Sequence, residues 1–293
     1  MLGSGRVWDI RGKTVLITGG SSGIGHATAT ALAGRGARVV LTSRDRHRSL
    51  RASDEISSRT GGDTQGMELD LTSLDSIRDF CARFVEEQPR LHVLINNAGT
   101  ISKRRKETVD GFEATFALHH LGPFLLTKLL LPRMVESAPG RIINVSSRVH
   151  RLARRGLDFD DLQLTRGYTG KRAYAQSKLA VELFTRELAR RVADLGITAN
   201  SVHPGAVISH LRDDAGALVR FAFFVMRPTL LTPEQSAESI VYLAADPDLQ
   251  TTTGQYFSRA ERSEPSEQAQ DDEAAKRLWA ATEELLARPP NRV

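Results

Sequence analysis

The chain has 293 residues, 40% of them hydrophobic and 26% charged, enough for one large core and ordinary for a globular protein. Lysine and arginine exceed the acids by 40 to 35, a net +5 that suits an anionic ligand but also fits proteins with no such partner. A single cysteine, Cys81, excludes an intramolecular disulfide framework.

The opening residues, MLGSGRVWDIRGK, hold no apolar run resembling a signal peptide or a membrane span, so the expectation is a cytoplasmic protein without a transmembrane segment. After them, short β-branched runs alternate with longer amphipathic stretches. TVLIT (14–18), RVVLT (38–42), HVLIN (92–96), RIINVS (141–146) and ITANSVH (197–203) read as strands, with one more strand before ELDLT. Continuous apolar strands are those buried on both faces of a parallel sheet. Helical patterns lie near 24–34, 73–88, 111–131 and 173–194. Cys81 recurs with Ile77, Phe80 and Phe84 at helical spacing and reads as a core thiol. The alternation predicts an α/β fold: a single doubly wound Rossmann-type parallel sheet flanked by helices on both faces.

Residues 10–258 are expected to form this domain, with two segments, 148–172 and 205–232, breaking its rhythm as loops over a site. The stretch 259–272 is polar and reads as a loose surface connection into a last helix, about 272–287, within the closing segment 259–293.

The first strand runs into TGGSSGIG, Thr18 to Gly25, which opens the first helix. There the backbone must turn tightly and let a pyrophosphate approach bare N–H groups at the positive end of a helix, so Gly19, Ser21, Ser22, Gly23, Ile24 and Gly25 are the expected phosphate cradle. The spacing is G-x-x-x-G-x-G, not the commoner G-x-G-x-x-G, and a flexible turn is the bland alternative. At the end of the second strand, TSRD places Arg44 where dinucleotide folds hold a ribose substituent. A guanidinium grips a phosphate with two donors, which favours NADP(H) over NAD(H). Asp45, next in sequence, keeps the second option open.

In YAQSK, Tyr174 and Lys178 are four residues apart on a helical pattern, so phenol and ammonium share one face a turn apart. A free phenol has a pKa of about 10, too high for ready proton exchange near neutrality. A nearby cation favours phenolate and is expected to lower that value, making Tyr174 a usable acid or base.

TGGSSGIG, INNAG (95–99), NVSS (144–147) and YAQSK, in this order, resemble the short-chain dehydrogenase/reductase family over about residues 10–258. LHVLINNAG, DGFEATFALHHLGPFLLTKLLLP, SKLAVELFTRELARR and SVHPGAVISHL resemble its retinol dehydrogenase-like branch, whose members usually carry an apolar anchor. The resemblance implies hydride transfer between nicotinamide and an alcohol or carbonyl carbon, with Tyr174 as proton donor or acceptor. Lys178 would also bond the nicotinamide ribose, and Ser147 would stabilise the substrate oxygen, with Ser146 the runner-up. By the same resemblance Asp70 contacts the adenine, Asn97, Ala98 and Gly99 line the cofactor groove, and Pro204, Gly205 and Val207 pass the nicotinamide amide. Homo-oligomers are the family's habit and are expected here.

Two departures stand out. Ser147 and Tyr174 are 27 residues apart, about double the simple family spacing, so an insertion made basic by Arg148, Arg151, Arg154 and Arg155 projects near the site. In FALHHLGPF, His119 occupies the place of a family asparagine that holds a relay water. It either carries protons itself, leaves activity weak, or is simply a packed helix histidine.

No ligand spacing such as H-E-x-x-H groups the histidines, so no metal is expected. KRRK (103–106) and RLARR (151–155) lack interleaved aromatics, so no nucleic acid is expected. RFAFFVM, seven residues flanked by arginines, is far too short to span a bilayer and reads equally as a substrate lid, a peripheral membrane contact or ordinary packing. The expected substrate is a small apolar alcohol, aldehyde or ketone. The competing expectation is an NADP-binding sensor or scaffold with little catalysis, suggested by His119.

Overall fold

The computed structural model describes residues 8–206 and 231–288. Its sheet has eight strands in the order β3-β2-β1-β4-β5-β6-β7-β8: β1 Thr14–Ile17, β2 Arg38–Ser43, β3 Thr64–Glu68, β4 Val93–Asn96, β5 Gly140–Val145, β6 Ile197–His203, β7 Tyr256–Ser258 and β8 Glu261–Ser263. All neighbours pair parallel except β7 and β8, an antiparallel hairpin. The helices are α1 Gly23–Ala33, α2 Arg46–Thr60, α3 Leu74–Glu87, α4 Ala114–Glu136, α5 Gly170–Arg191, α6 Pro233–Ala245 and α7 Asp272–Ala287.

Strand periodicity explains the layers. Side chains alternate across a strand, so Leu16, Val40, Leu94 and Ile142 face one cluster with Phe80, Phe84, Phe124 and Phe184. Val15, Ile17, Val39, Leu41, Val93 and Ile95 face the other, with Ile56 and Ile240. Each fully buried side chain of this kind contributes about 1.5–3 kcal/mol relative to exposure. Cys81 is buried in the first cluster, which raises its thiol to about 12.

Local chemistry sets the helix ends. Asp45 caps α2 by accepting from the His47 and Arg48 N–H groups, and Gly61 closes it in the left-handed region at φ 68°. Thr232 and Gln235 form a capping box at α6.

The central helix α4 differs from its sequence pattern. It continues through Pro132 to Glu136, and Ala117–Leu121 form a π-turn that faces His119 and His120 inward. Length and apolar character alone would suit a bilayer span, yet 72% of its apolar window is buried inside the protein.

Residues 259–271 are not a loose connection. Ser258 pairs with Glu261 in the β7–β8 hairpin, the Ser266 N–H donates to His150, and Ala269 is buried. Their polarity is satisfied by the insertion, which they cover: Arg151 donates to the Glu264 carbonyl, and Gln268 to that of Arg154. The insertion is itself ordered, with a 3-10 turn at Arg148–Leu152, Ala153 and Leu157 buried in a third apolar cluster beside α5 and α7, and Leu164 also buried. Of RFAFFVM nothing follows, because it lies outside the described residues.

Candidate active site

Strand order reverses at β1, which has β2 on one side and β4 on the other, and such switch points open a crevice at the carboxyl ends of the strands. Thr18, Asn97, Ser147 and Pro204 all follow strand ends on that edge. Thr18 ties the crevice together: its hydroxyl accepts the Asn97 and Ala98 N–H groups at 3.0 and 3.1 Å. The Asn97 amide in turn donates to the Thr18 carbonyl at 2.8 Å.

The glycine loop is crowded from behind and open in front. A Cβ on Gly25 would stand 2.4 Å from the Gly19 carbonyl oxygen and 2.5 Å from Asn97 Nδ2, and one on Gly19 would stand 2.9 Å from Ala98 Cα. Gly23, with φ at +57°, has nothing within 4 Å of such an atom among the described residues. Ser22 precedes α1 without any side-chain cap, and both it and Gly23 are exposed. The first N–H groups of α1 therefore face solvent at the positive end of an 11-residue helix, a surface whose donors fit a pyrophosphate.

At the end of β2, Arg44 is exposed and has no hydrogen bond or ion pair among the described residues. Asp45 points its carboxylate at the α2 N-terminus and pairs with Arg48 at 3.6 Å, so it is committed to capping. Asp70 accepts from both the N–H and the hydroxyl of Thr72. Gly205 has φ at +98°, and a Cβ there would meet Leu231 at 2.4 Å. Val207 lies outside the described residues.

The second group gathers where α5 passes the end of β5. Lys178 is 4% exposed, donates from Nζ to the Val145 carbonyl at 2.9 Å, and stands 5.7 Å from the centroid of the Tyr174 ring. Burial pulls its ammonium down to about 8, against the opposing charge of Glu182. Burial raises the Tyr174 phenol above its ordinary value, and an interaction with the Ser147 hydroxyl draws it back. The lowering expected from Lys178 is not found: burial sets the net direction, and the group that draws the phenol back is Ser147, not the lysine. The two serines diverge: Ser147 faces Tyr174, whereas Ser146 is buried and faces Glu182.

His119 resolves as a bridge. Its Nε2 accepts the Thr100 N–H at 3.1 Å, so Nδ1 carries the proton and donates to Ser177 Oγ at 2.8 Å. Ser177 passes its own hydroxyl to the Tyr174 carbonyl at 2.9 Å. The ring packs edge-on against Tyr174 with centroids 5.5 Å apart. Burial, helped by the Lys178 charge, holds the imidazole well below its ordinary value. It is a neutral packing and hydrogen-bonding group, not a proton carrier near neutral pH. Sequence patterns do not single out Thr18 or Glu182; the one available signal is an acid on the buried face of α5, four residues past Lys178.

Among the described residues no group of three His, Cys, Asp or Glu side chains is placed to hold a metal. Two surface cavities, about 470 and 840 Å³, are lined by none of Ser147, Tyr174 or Lys178.

The short chain dehydrogenase family model matches residues 13–157 and 162–217. Retinol dehydrogenase 13 of Homo sapiens is 42% identical, over 94% of this chain and 85% of its own length. An uncharacterized protein of Mycobacterium Paratuberculosis superposes with a TM-score of 0.76 at 33% identity, over 97% of each chain. The Pseudomonas aeruginosa RhlG/NADP active-site complex gives 0.70 at 28%, over 86% of this chain and 96% of that one. The chain therefore belongs to the short chain dehydrogenase family, similar within it to the retinol dehydrogenases, and is an NAD(P)-dependent oxidoreductase acting on CH–OH groups.

Proposed function

We propose that the protein interconverts an apolar alcohol and its carbonyl compound using NADP(H), with Tyr174 exchanging the proton at its hydroxyl. The observation that carries this reading is the convergence of Ser147, Tyr174 and Lys178 at the sheet edge that also carries the uncapped, glycine-lined N-terminus of α1. When bound, the nicotinamide supplies or accepts hydride. The chain's own residues do the rest. Ser147 and Tyr174 offer two hydroxyls to one substrate oxygen, so charge building there is met by donors already in place. Lys178, anchored on the Val145 carbonyl and largely protonated at neutral pH, keeps a positive charge beside the phenol as the proton leaves.

Arg44 supports the preference for NADP(H): it has no partner among the described residues at the place a 2′-phosphate would occupy, while its acidic neighbour is engaged elsewhere. An apolar substrate is supported by the similarity to proteins named retinol dehydrogenases. The sensor alternative rests on His119, and a neutral bridging imidazole does not argue against turnover.

Tyr174→Phe tests the reading. With NADPH and a panel of apolar aldehydes and ketones, it should lose turnover by roughly 100-fold or more while NADPH affinity, followed by fluorescence, stays near the parent's. Turnover within twofold of the parent would refute the assignment.

A further inference from the structure

One buried ionisable group has no part in the chemistry above. Glu182 lies on α5 one turn beyond Lys178 and is 4% exposed. Its Oε2 accepts a 2.6 Å hydrogen bond from Ser201 on β6. Its Oε1 has no hydrogen-bond partner among the described residues and stands 3.9 Å from His150 Nδ1. A carboxylate left ionised in such a place needs a compensating charge.

The surrounding groups narrow the choice of partner. Facing Glu182 are Lys178 on its own helix, Ser146 after β5, Ser201 on β6, Tyr256 on β7, and His150 and Arg151 of the insertion. His150 cannot supply the charge: its Nδ1 donates to the Ser147 carbonyl at 2.7 Å and its Nε2 accepts from the Ser266 N–H at 3.1 Å, which selects the neutral tautomer. Arg151 is exposed and bonds the Glu264 carbonyl. Lys178 also faces Tyr174 and the neutral His119, neither of which can balance it. Among the described residues, the buried cation acting on Glu182 is thus Lys178, one turn away on the same helix, with the exposed Arg151 as a lesser contributor, and the opposing charge acting on Lys178 is Glu182.

We propose that Glu182 is a positioning residue for Lys178, its carboxylate holding the buried ammonium charged and seated on the Val145 carbonyl beneath Tyr174. The inference rests on the reading of Tyr174 and Lys178 given above. The directions agree with it: burial lowers Lys178 while Glu182 raises it, and burial raises Glu182 to about 7 while Ser146, Ser201, Lys178 and Arg151 lower it, so the carboxylate is charged through the alkaline range in which Lys178 titrates. Nothing in the proton transfer itself requires Glu182 to touch substrate.

Glu182→Gln keeps an acceptor for Ser201 and removes the charge. Lys178 then loses its proton at lower pH, so the alkaline limb of kcat/KM for carbonyl reduction should move down by roughly one pH unit or more. The same displacement should appear without cofactor, in the titration of the Lys178 Cε resonance of protein labelled with 13C-lysine and assigned with Lys178→Met. Glu182→Asp should restore most of the parental titration. Ser201→Ala, which withdraws a donor to the ionised carboxylate, should move both readouts the same way by less. If Glu182→Gln does not fold, Ser201→Ala carries the prediction.

An unmoved limb together with an unmoved Lys178 titration in the folded variant overturns the proposal. Tyr174→Phe, assayed in parallel, separates the two levels. If it keeps parental turnover, the reading of the whole site falls. If it is inactive while Glu182→Gln titrates like the parent, only the role of Glu182 falls.

Discussion

Replacing His119 by asparagine, the residue that the family resemblance implies at this place, should destabilise this protein. The imidazole reaches two partners on opposite sides, the Thr100 N–H through Nε2 and Ser177 Oγ through Nδ1. An asparagine amide is long enough to replace the nearer bond to Ser177 but stops short of Thr100. The missing hydrogen bond costs about 1 kcal/mol. The missing ring atoms, 3% exposed in the parent and packed on Tyr174, add about another 1 kcal/mol. A total of ~2 kcal/mol corresponds to a fall of roughly 4–8 °C in Tm for a chain of this size. Thr100 follows Asn97–Gly99, so KM for NADPH should rise as that loop loosens. His119→Gln carries its amide about as far as Nε2 and should recover roughly half of the stability. Calorimetric melting of the three proteins at pH 7.5 measures this. His119→Asn melting within about 1 °C of the parent would refute the bridging role, given the destabilisation expected when a buried hydrogen bond is broken.

Arg44→Ala should weaken NADP binding by roughly 10-fold or more, the size of one charge-assisted pair between guanidinium and phosphate, with little change for NAD; an unchanged NADP to NAD ratio in isothermal titration would mean that Arg44 does not meet the phosphate. Acid should unfold the protein through its histidines. Burial lowers His92 to about 4, His120 to about 3 and His203 to about 4 from an unfolded value of 6.5. Depressed values of this kind contribute stability that is full above pH 6.5 and is lost as pH falls toward 4, on the order of a few kcal/mol in all. Glu182, raised by burial, has the opposite sign and offsets part of that change. Urea midpoints at pH 7.5 and 5.0 check the balance, and an equal or higher midpoint at pH 5.0 would contradict it.

Much of the architecture follows from local pattern. Leu16 and its neighbours Val15 and Ile17 read as a strand buried on both faces, and they divide between two clusters as a period of two requires. α2 is less legible, because RHRSLRASDEISSRT buries only Ser49, Ala52, Ser53 and Ile56, and its start depends on the Asp45 cap. β3 has one buried residue, Met67, and the β7–β8 hairpin is two short strands in a polar stretch. These elements are held by their neighbours more than by their own composition.

The same division runs through the site. Spacing alone determined that Tyr174 and Lys178 share a helix face, and that a glycine turn opens α1, because both are properties of backbone geometry over a few residues. What each ionisable group does there was decided by residues far away in the chain. Ser147 and Ser146 are adjacent in sequence yet face Tyr174 and Glu182, respectively. His119 is neutral because Thr100 and Ser177 occupy its nitrogens inside a buried core, and Lys178 feels the opposing charge of Glu182 only because helix and sheet bury the two together. Charge states depend on desolvation and on interactions through space, and neither exists until the chain has folded.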